Sequence, residues 1–564
     1  MNRTDETAKS KTWWRETTVY QIYPRSYMDS NGDGIGDIKG IISKLDYIKE
    51  TGFETIWISP FFVSPQRDFG YDIADYYNIS PEYGTAADVD ILIQEVHLRD
   101  MYIIFDMVLN HTSDQHPWFI ESRSSRDNPK RDWYVWKDGR KPGGRKPPNN
   151  WKSQVSGSGW QWDETTGQWY WAAFLPFQPD LNYRNPEVKA EIFRMLKHWL
   201  NKGVDGFRLD IIGSVFEDAD FRNSPFIWKL LPDETNEGML FRSSCMTENL
   251  PESVDFVKEL RALTDNYDEP QRFMVGETFG TPEVISSFCR EGGLHTAFAF
   301  KCTDVPFTAP AFRKLITEYE HHFPSPLLPV WAFSNHDRTR RISGLGGDER
   351  KARLNMAFQL TVRGLPFFYF GEEIGMPDSQ LRHKESLDPV SFPFKKLPPP
   401  LFNLLDKKVH GSLNRDKERS PMLWNDSRNA GFTTESAAPW LPVSPALKNV
   451  NVKAAAEKKE SLYNCFKKFL KFRANAPALR RGTIRIIEDR KLPPEILSYI
   501  REDIDSKQRL VILLNFSTES IVIPAAPAAA LLQGETSILL STEDSAAETA
   551  DGLRLRAFEA LVIG

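Results

Sequence analysis

Val204-Asp205-Gly206-Phe207-Arg208-Leu209-Asp210 reads as a short strand that runs straight into a carboxylate. Two other stretches do the same. Phe273-Met274-Val275-Gly276 stops at Glu277, and Val330-Trp331-Ala332-Phe333-Ser334-Asn335-His336 stops at Asp337. A charge at the end of an apolar strand is costly to bury, so it marks strand ends that face a polar space. In a closed parallel barrel, the residues just past the strand C-termini line one shared mouth. Three acids converging there, with His111, Arg208 and His336 beside them, point to acid/base chemistry on a polar substrate. Paired carboxylates are the means of glycosidic bond cleavage.

Working outward, strand-like runs alternate with helical patterns from Thr18 to about Phe370. The strands are expected at 19–23, 54–58, 102–106, 204–209, 273–276, 295–300, 330–334 and 366–370. Amphipathic helices fit at 38–50, 87–100 and 186–202. Strand and helix in alternation predict a parallel sheet. Eight units with acids at several strand ends predict an α/β chain closed as a (β/α)₈ TIM barrel rather than an open sheet. Three regions break the alternation. The Trp-, Gly- and Pro-rich stretch 110–178 is expected as an inserted subdomain after strand 3, over the barrel mouth. The proline-rich stretch 377–458 is expected as loops and short helices beside the mouth. From 480 the pattern turns to short β runs at 484–487, 496–501, 509–515 and 520–523, which predict a C-terminal antiparallel β-sandwich. Residues 525–530 read as a connector. The division is therefore 12–109 and 179–479 for the two parts of the catalytic barrel, 110–178 for the insertion and 480–564 for the C-terminal domain.

With 71 basic and 77 acidic residues there is no basic excess to suggest a nucleic-acid partner. Cys245, Cys289, Cys302 and Cys465 are scattered, without metal-site spacing, and read as free thiols of a reducing compartment. The polar N-terminus lacks an apolar secretory core, and no run of about 18 apolar residues occurs. A cytoplasmic protein without a membrane segment is the expectation. The high share of Trp, Tyr and Phe suits both core packing and sugar stacking.

Asp106-Met107-Val108-Leu109-Asn110-His111 closes the third strand. Asp106 and His111 either hydrogen-bond a substrate's hydroxyls or hold each other in place. Arg208 and Asp210, two apart on a strand, face the same side, and the cation should favour the ionised carboxylate that a nucleophile needs. Glu277, flanked by Val275 and Phe279, sits where burial would raise its pKa toward that of a general acid. Asp29-Ser30-Asn31-Gly32-Asp33-Gly34-Ile35-Gly36-Asp37 resembles an EF-hand loop. It offers oxygens from Asp29, Asn31, Asp33 and Asp37 and the Ile35 carbonyl to a Ca²⁺ or Mg²⁺ ion. Gly40 stands at the twelfth position, where the bidentate Glu would be. The alternative is an Asp/Gly-rich turn with no ion.

These motifs, in this order on these strands, resemble the α-amylase superfamily, glycoside hydrolase family 13. The resemblance implies that Asp210 is the nucleophile, Glu277 the acid/base and Asp337 the transition-state stabiliser. It places Arg208, His111 and His336 at the sugar. Gln178-Pro179-Asp180-Leu181-Asn182, Asp68-Phe69-Gly70-Tyr71-Asp72 and the segment from Arg415 to Trp424 are similar to signatures of the oligo-1,6-glucosidase and α-glucosidase group. That likeness implies that Asp68 and Arg415, with Arg419 as the other candidate, clasp the terminal glucose, with Tyr71 beside them. It also supports a metal site on the Asp29 loop and implies no organic cofactor. Ile211-Ile212-Gly213-Ser214 follows the nucleophile where endo-acting amylases often carry Lys-His, so the chain is expected to act on chain ends. Ile211 resembles the Val of members that favour α-1,6 bonds, and Arg338 departs from the group's usual Gln. The expected substrates are short gluco-oligosaccharides and the expected assembly a monomer or small homo-oligomer. A transglucosylase or sucrose-converting enzyme of the same family is the alternative chemistry. A non-catalytic scaffold relative is disfavoured because all three acids are present.

Overall fold

The computed structural model describes residues 12–564 apart from 141–142, 156, 231–240, 410–412, 488–491, 533–536, 544–546 and 550–551. Most of the polar N-terminal stretch, residues 1–11, and Lys141 and Pro142 of the Gly/Pro-rich segment therefore lie outside the described residues. Eight strands form one parallel sheet: β1 (Val19–Ile22), β2 (Thr55–Ile58), β3 (Tyr102–Val108), β4 (Gly206–Asp210), β5 (Phe273–Glu277), β6 (Thr296–Phe298), β7 (Val330–Trp331) and β8 (Leu365–Tyr369). Their order is β6-β5-β4-β3-β2-β1-β8-β7, sequential pairs throughout except that β1 joins β8. That order curls the sheet so that β6 and β7 meet. Thr296 Oγ1 donates to the Leu328 carbonyl at 2.6 Å across this seam. The result is a (β/α)₈ barrel, as the alternation predicts.

Side chains alternate along each strand, so every second residue points inward. Ile104, Phe273 and Val275, with Val19, Trp57, Val330, Leu365 and Phe367, fill one buried cluster capped from below by Trp13 and Trp14. Trp14 Nε1 donates to Gln271 Oε1 at 2.8 Å. Two residues further along the same strands the interior turns charged: Asp106 follows Ile104, Arg208 and Asp210 follow Gly206, and Glu277 follows Val275. The barrel thus has an apolar floor and an ionised top. Gly206 is required where it stands, because a Cβ there would lie 2.1 Å from the Phe273 carbonyl oxygen.

The stretch 110–178 carries its own three-stranded antiparallel sheet of Trp136–Lys137, Gln168–Trp171 and Trp160–Asp163. Its small core is Val135, Trp151, Trp160, Trp171 and Ala173. Trp151 also stacks on Phe221 of the loop after β4, with ring centroids 5.5 Å apart, which fastens the insertion to the nucleophile side of the mouth. The C-terminal region is a sandwich of a five-stranded and a three-stranded antiparallel sheet. Ile496, Val511, Leu513 and Leu561 of one sheet meet Ile523, Leu553 and Leu555 of the other in a separate core.

Two expectations change. The helix expected at 38–50 is two, Ile38–Ser43 and Leu45–Thr51, broken at Lys44. The stretch read as a connector is part of a helix, Ala525–Leu532. Alanine's helix propensity outweighs the single proline, which stands in the first turn where its missing N–H costs nothing. The four cysteines are free, with Cys245 exposed and the others buried. Among the described residues no helix is long and apolar enough to cross a membrane.

Candidate active site

Strand chemistry delivers the three acids to one place. Asp210 ends β4, Glu277 ends β5, and Asp337 stands at the tip of a turn after β7. In that turn Asn335 pairs with Arg338, and Asn335 Oδ1 accepts the Asp337 N–H at 2.8 Å. Arg208 is fully buried at the centre. Its Nη1 donates to Asp106 Oδ1 at 2.7 Å and to Asp210 Oδ1 at 2.6 Å, and its Nη2 contacts Glu277 Oε2. One guanidinium therefore holds the carboxylates of three adjacent strands.

A second set of contacts fixes the imidazoles. Gln21 Nε2 donates to His336 Nδ1 at 2.7 Å. His336 Nε2 then carries the proton, facing the Tyr71 hydroxyl at 2.6 Å and Asp337 Oδ2 at 3.1 Å. Tyr71 passes its own hydrogen to Asp106 Oδ2 at 3.1 Å, and Trp57 Nε1 donates to the same oxygen at 3.1 Å. His111 Nε2 donates to the Tyr71 carbonyl at 3.1 Å, while its Nδ1 faces Asn110 Nδ2 at 3.3 Å. Burial pushes His336 down to about 3 and His111 down to about 4, so both rings are neutral near pH 7. Neutral imidazoles can donate to or accept from hydroxyls without adding charge.

The far side of the pocket is closed by arginines. Arg415 donates to Asp68 Oδ1 at 2.8 Å, to Asp337 Oδ1 at 3.1 Å and, through Nη2 and Nε, to Asp388 at 2.8 and 3.0 Å. Arg419, fully buried, donates to Asp337 Oδ1 at 2.6 Å and to the His336 carbonyl at 2.9 Å. Both arginines reach Asp337, but it is Arg415 that bridges to Asp68. Gln178, from the end of the insertion, donates to Asp68 Oδ2 at 3.0 Å. The nine side chains expected at the chemistry and the substrate thus form one connected network: Asp210, Glu277, Asp337, Asp68, Tyr71, His111, Arg208, His336 and Arg415. Gln21, Trp57, Gln178 and Asp388 belong to it too. Of these, Gln178 stands in a segment the sequence already singles out, and Gln21 is signalled as a polar residue in the middle of the apolar strand Val19-Tyr20-Gln21-Ile22.

Electrostatics differ between the acids. Against the cost of burial, His336, Arg415 and Arg419 hold Asp337 far below the usual carboxylate range. Asp210 goes the other way. Burial, with Asp106 and Asp337 close by, pushes it up to about 7 despite the pull of Arg208. Arg208 does pull Asp210 down, as the sequence suggests, but burial outweighs it, because the one guanidinium is shared with Asp106 and Glu277 in a site with more carboxylates than cations. Backbone strain marks the same places. Ile211, directly after Asp210, has φ 38°, and Phe69, directly after Asp68, has φ 48°. Left-handed backbone at a β-branched or bulky residue is uncommon and costs on the order of 1–3 kcal/mol.

The Asp29 loop lies apart from this network. Gly32 and Gly34 adopt φ 82° and 94°. Asp29 Oδ1 accepts the N–H groups of Asn31 and Gly32 at 3.0 and 2.7 Å, and Oδ2 accepts that of Gly34 at 2.8 Å. Asp37 Oδ1 caps the helix Ile38–Ser43 by accepting the Gly40 N–H at 2.7 Å. The donors on offer are all oxygens, which suits a hard cation. Among the described residues, however, no three acidic, His or Cys side chains gather as a metal cluster.

Residues 21–482 match the family described as alpha amylase, catalytic domain. The chain is 37% identical over 580 residues to an oligo-1,6-glucosidase of Parageobacillus thermoglucosidasius, covering 98% of this chain and 99% of that one. Among solved structures it resembles an alpha-glucosyl transfer enzyme, XgtA, with a TM-score of 0.87 and 35% identity over 98% of this chain and 99% of that one. It also resembles the trehalulose synthase MutB from Pseudomonas mesoacidophila MX-45, with a TM-score of 0.84 and 31% identity over the same shares.

Proposed function

The chain belongs to the alpha-amylase catalytic-domain family, glycoside hydrolase family 13, and from that premise we propose that it is a retaining, exo-acting α-glucosidase. Its substrates are short gluco-oligosaccharides with α-1,6 or α-1,4 bonds, cut from the non-reducing end. The observation that carries this reading is the shared guanidinium of Arg208, touching both Asp210 and Glu277. Two carboxylates sharing one guanidinium at the ends of neighbouring strands favour the closer spacing of retaining pairs, ~5–5.5 Å, over the ~6.5–9.5 Å of inverting pairs.

Asp210 attacks the anomeric carbon while Glu277 gives its proton to the departing glycosidic oxygen. Glu277 then takes a proton from water, whose oxygen displaces Asp210 and restores the α-configuration. Asp337, kept ionised by two arginines and a histidine, stabilises the positive charge that develops on the ring. Asp68 and Arg415 hold hydroxyls of the terminal glucose and close the pocket behind it, which supports exo-action. NMR of the first-formed glucose checks the reading: α-glucose is expected from isomaltose or maltose, and β-glucose would refute it. Transfer of glucose to a sugar instead of water uses the same intermediate, and the similarity to XgtA favours such a side reaction.

We also propose one structural Ca²⁺ or Mg²⁺ ion on the turn of Asp29, Asn31, Asp33, Ile35 and Asp37. The loop pattern and the all-oxygen donors support it. Bound there, the ion would stiffen the loop that leads into the first barrel helix and would take no part in bond cleavage.

A further inference from the structure

We propose that Arg338 is the residue that grips the sugar on the leaving-group side, and so sets the division of the glucosyl-enzyme between water and a sugar acceptor. This rests on the glucosidase reading above and goes beyond it to acceptor selection. The two ends of the pocket differ. Behind the scissile bond, Asp337 is tied to Arg415 and Arg419, and Arg415 to Asp68. The leaving group must therefore lie at the other end, toward Glu277, which protonates it.

Three side chains cross that rim. Arg338, the residue after Asp337, lies over the Phe300 ring at 5.1 Å. Phe300, just past β6, lies 5.9 Å from Phe279, which stands two residues after Glu277. The row Arg338–Phe300–Phe279 thus spans the strand ends from β7 to β5, between the stabilising acid and the proton donor. β6 contributes no acid here; it contributes the aromatic floor on which the guanidinium rests. Phe300 is itself stacked on Phe298 at 5.7 Å, so it is held from below. Among the described residues no carboxylate pairs with Arg338, whereas Arg208, Arg415 and Arg419 are each held by carboxylates. The guanidinium over that ring is partly open to solvent and offers a planar fork of N–H donors. Adjacent hydroxyls of a pyranose match that fork, and the half-buried ring of Phe279 offers an apolar edge beside it.

The test uses the full chain with 4-nitrophenyl α-glucoside as donor and cellobiose, whose β bond an α-glucosidase does not cut, as acceptor. Nitrophenol counts glucosyl-enzyme formed, free glucose counts hydrolysis, and the difference is transfer. Both fates start from one intermediate, so their ratio does not respond to a general loss of turnover. For Arg338→Ala the transfer-to-hydrolysis ratio at subsaturating acceptor is expected to fall about tenfold, the effect of losing a charge-assisted hydrogen bond. The selectivity for isomaltose over the nitrophenyl glucoside in kcat/KM is expected to fall by a similar factor. Arg338→Lys, a point charge without the planar fork, should recover less than half of either. Both ratios staying within twofold of wild type in the Ala variant would overturn the proposal. So would full recovery by Lys, which would reduce the role to charge alone. A wild-type chain that releases no nitrophenol would refute the glucosidase reading instead, and that outcome is distinct.

Discussion

The barrel mouth and the Asp29 turn are both clusters of acids, and they are built in opposite ways. At the mouth, Asp106, Asp210, Glu277, Asp337, Asp68 and Asp388 are met by the guanidiniums of Arg208, Arg415 and Arg419. In the turn, Asp29 and Asp37 are met by backbone N–H groups and the hydroxyls of Ser30 and Thr433. Acids held by side-chain cations leave a charge imbalance that a substrate can feel. Acids held by amides define a backbone shape. The mouth therefore works on a neutral sugar whose charge appears only during reaction, while the turn serves the fold, with or without an ion.

The comparison breaks first, and most visibly, at the mouth. Asp210→Asn keeps the shape and one hydrogen bond to Arg208 but removes the nucleophile, so turnover of isomaltose should fall by more than about 10⁴-fold. Glu277→Gln removes the transferable proton and should cost roughly 10²–10⁴-fold, less for a nitrophenyl leaving group that needs no proton. Circular dichroism should show both variants folded. Rates within tenfold of wild type would mean that the roles are assigned wrongly.

Next come two substitutions that separate binding from support. Asp68→Ala leaves Arg415 still paired with Asp388 and Asp337. It should lower kcat/KM by roughly 10–100-fold through lost contact with the terminal glucose, with a small change in Tm. Asp388→Ala removes a fully buried partner that holds Arg415 through two side-chain nitrogens. It should cost about 3–5 kcal/mol of stability. Equal effects on Tm and on kcat/KM in both variants would erase the distinction.

Titration sharpens it further. Asp210 is pushed up to about 7, above the ordinary carboxylate value, so its charged form is the minority form in mildly acidic solution. The nucleophile must be ionised, so kcat/KM should drop as pH falls below about 7, by up to tenfold per unit. The same raised value means that Asp210 favours the folded state most below its unfolded pKa and loses that contribution as pH rises through about 7. Asp337, held low, does the reverse and contributes stability that is lost only in strong acid. An acid limb near 4 in kcat/KM would contradict the imbalance described for the mouth.

The smallest effect belongs to the turn. Removing divalent ions with a chelator and restoring Ca²⁺ or Mg²⁺ should raise Tm by a few degrees, about what RT ln(1 + [L]/Kd) gives for a single native-state site. kcat for isomaltose at 25 °C should be unaffected. A Tm indifferent to both ions would leave the turn held by its amides and hydroxyls alone.

The sequence displays the barrel clearly because each strand is a short apolar run with an acid or aromatic punctuation mark, and strand and helix alternate from β1 to β8 apart from the insertion after β3. Asp210 and Glu277 were legible for the same reason: a carboxylate at the end of such a run has no packing purpose. Asp388 was not. It lies in the proline-rich stretch where no periodicity says which side chain points where, and its partner Arg415 is 27 residues away. Gln178 stood in a recognisable segment, yet its contact with Asp68 crosses 110 residues and depends on how the insertion folds back. The last strands of the sandwich, such as Ile538–Ser541 and Gly552–Leu555, also went unread. They are short, and Ala- and Ser-rich neighbours mask their alternation.

Under the proposed exo-acting reading, the closure formed by Asp68, Arg415 and Asp337 gives the pocket a single door. A chain that is cut there cannot be threaded forward, because the freed glucose occupies the dead end and the remainder of the chain stands in the exit. The remainder must leave first and the glucose second, through the same opening, before another chain end can enter. Each bond broken is therefore a separate visit. In a mixture of chain lengths the enzyme should shorten all of them in parallel, and accumulating glucose should obstruct traffic by competing for the doorway that every substrate needs.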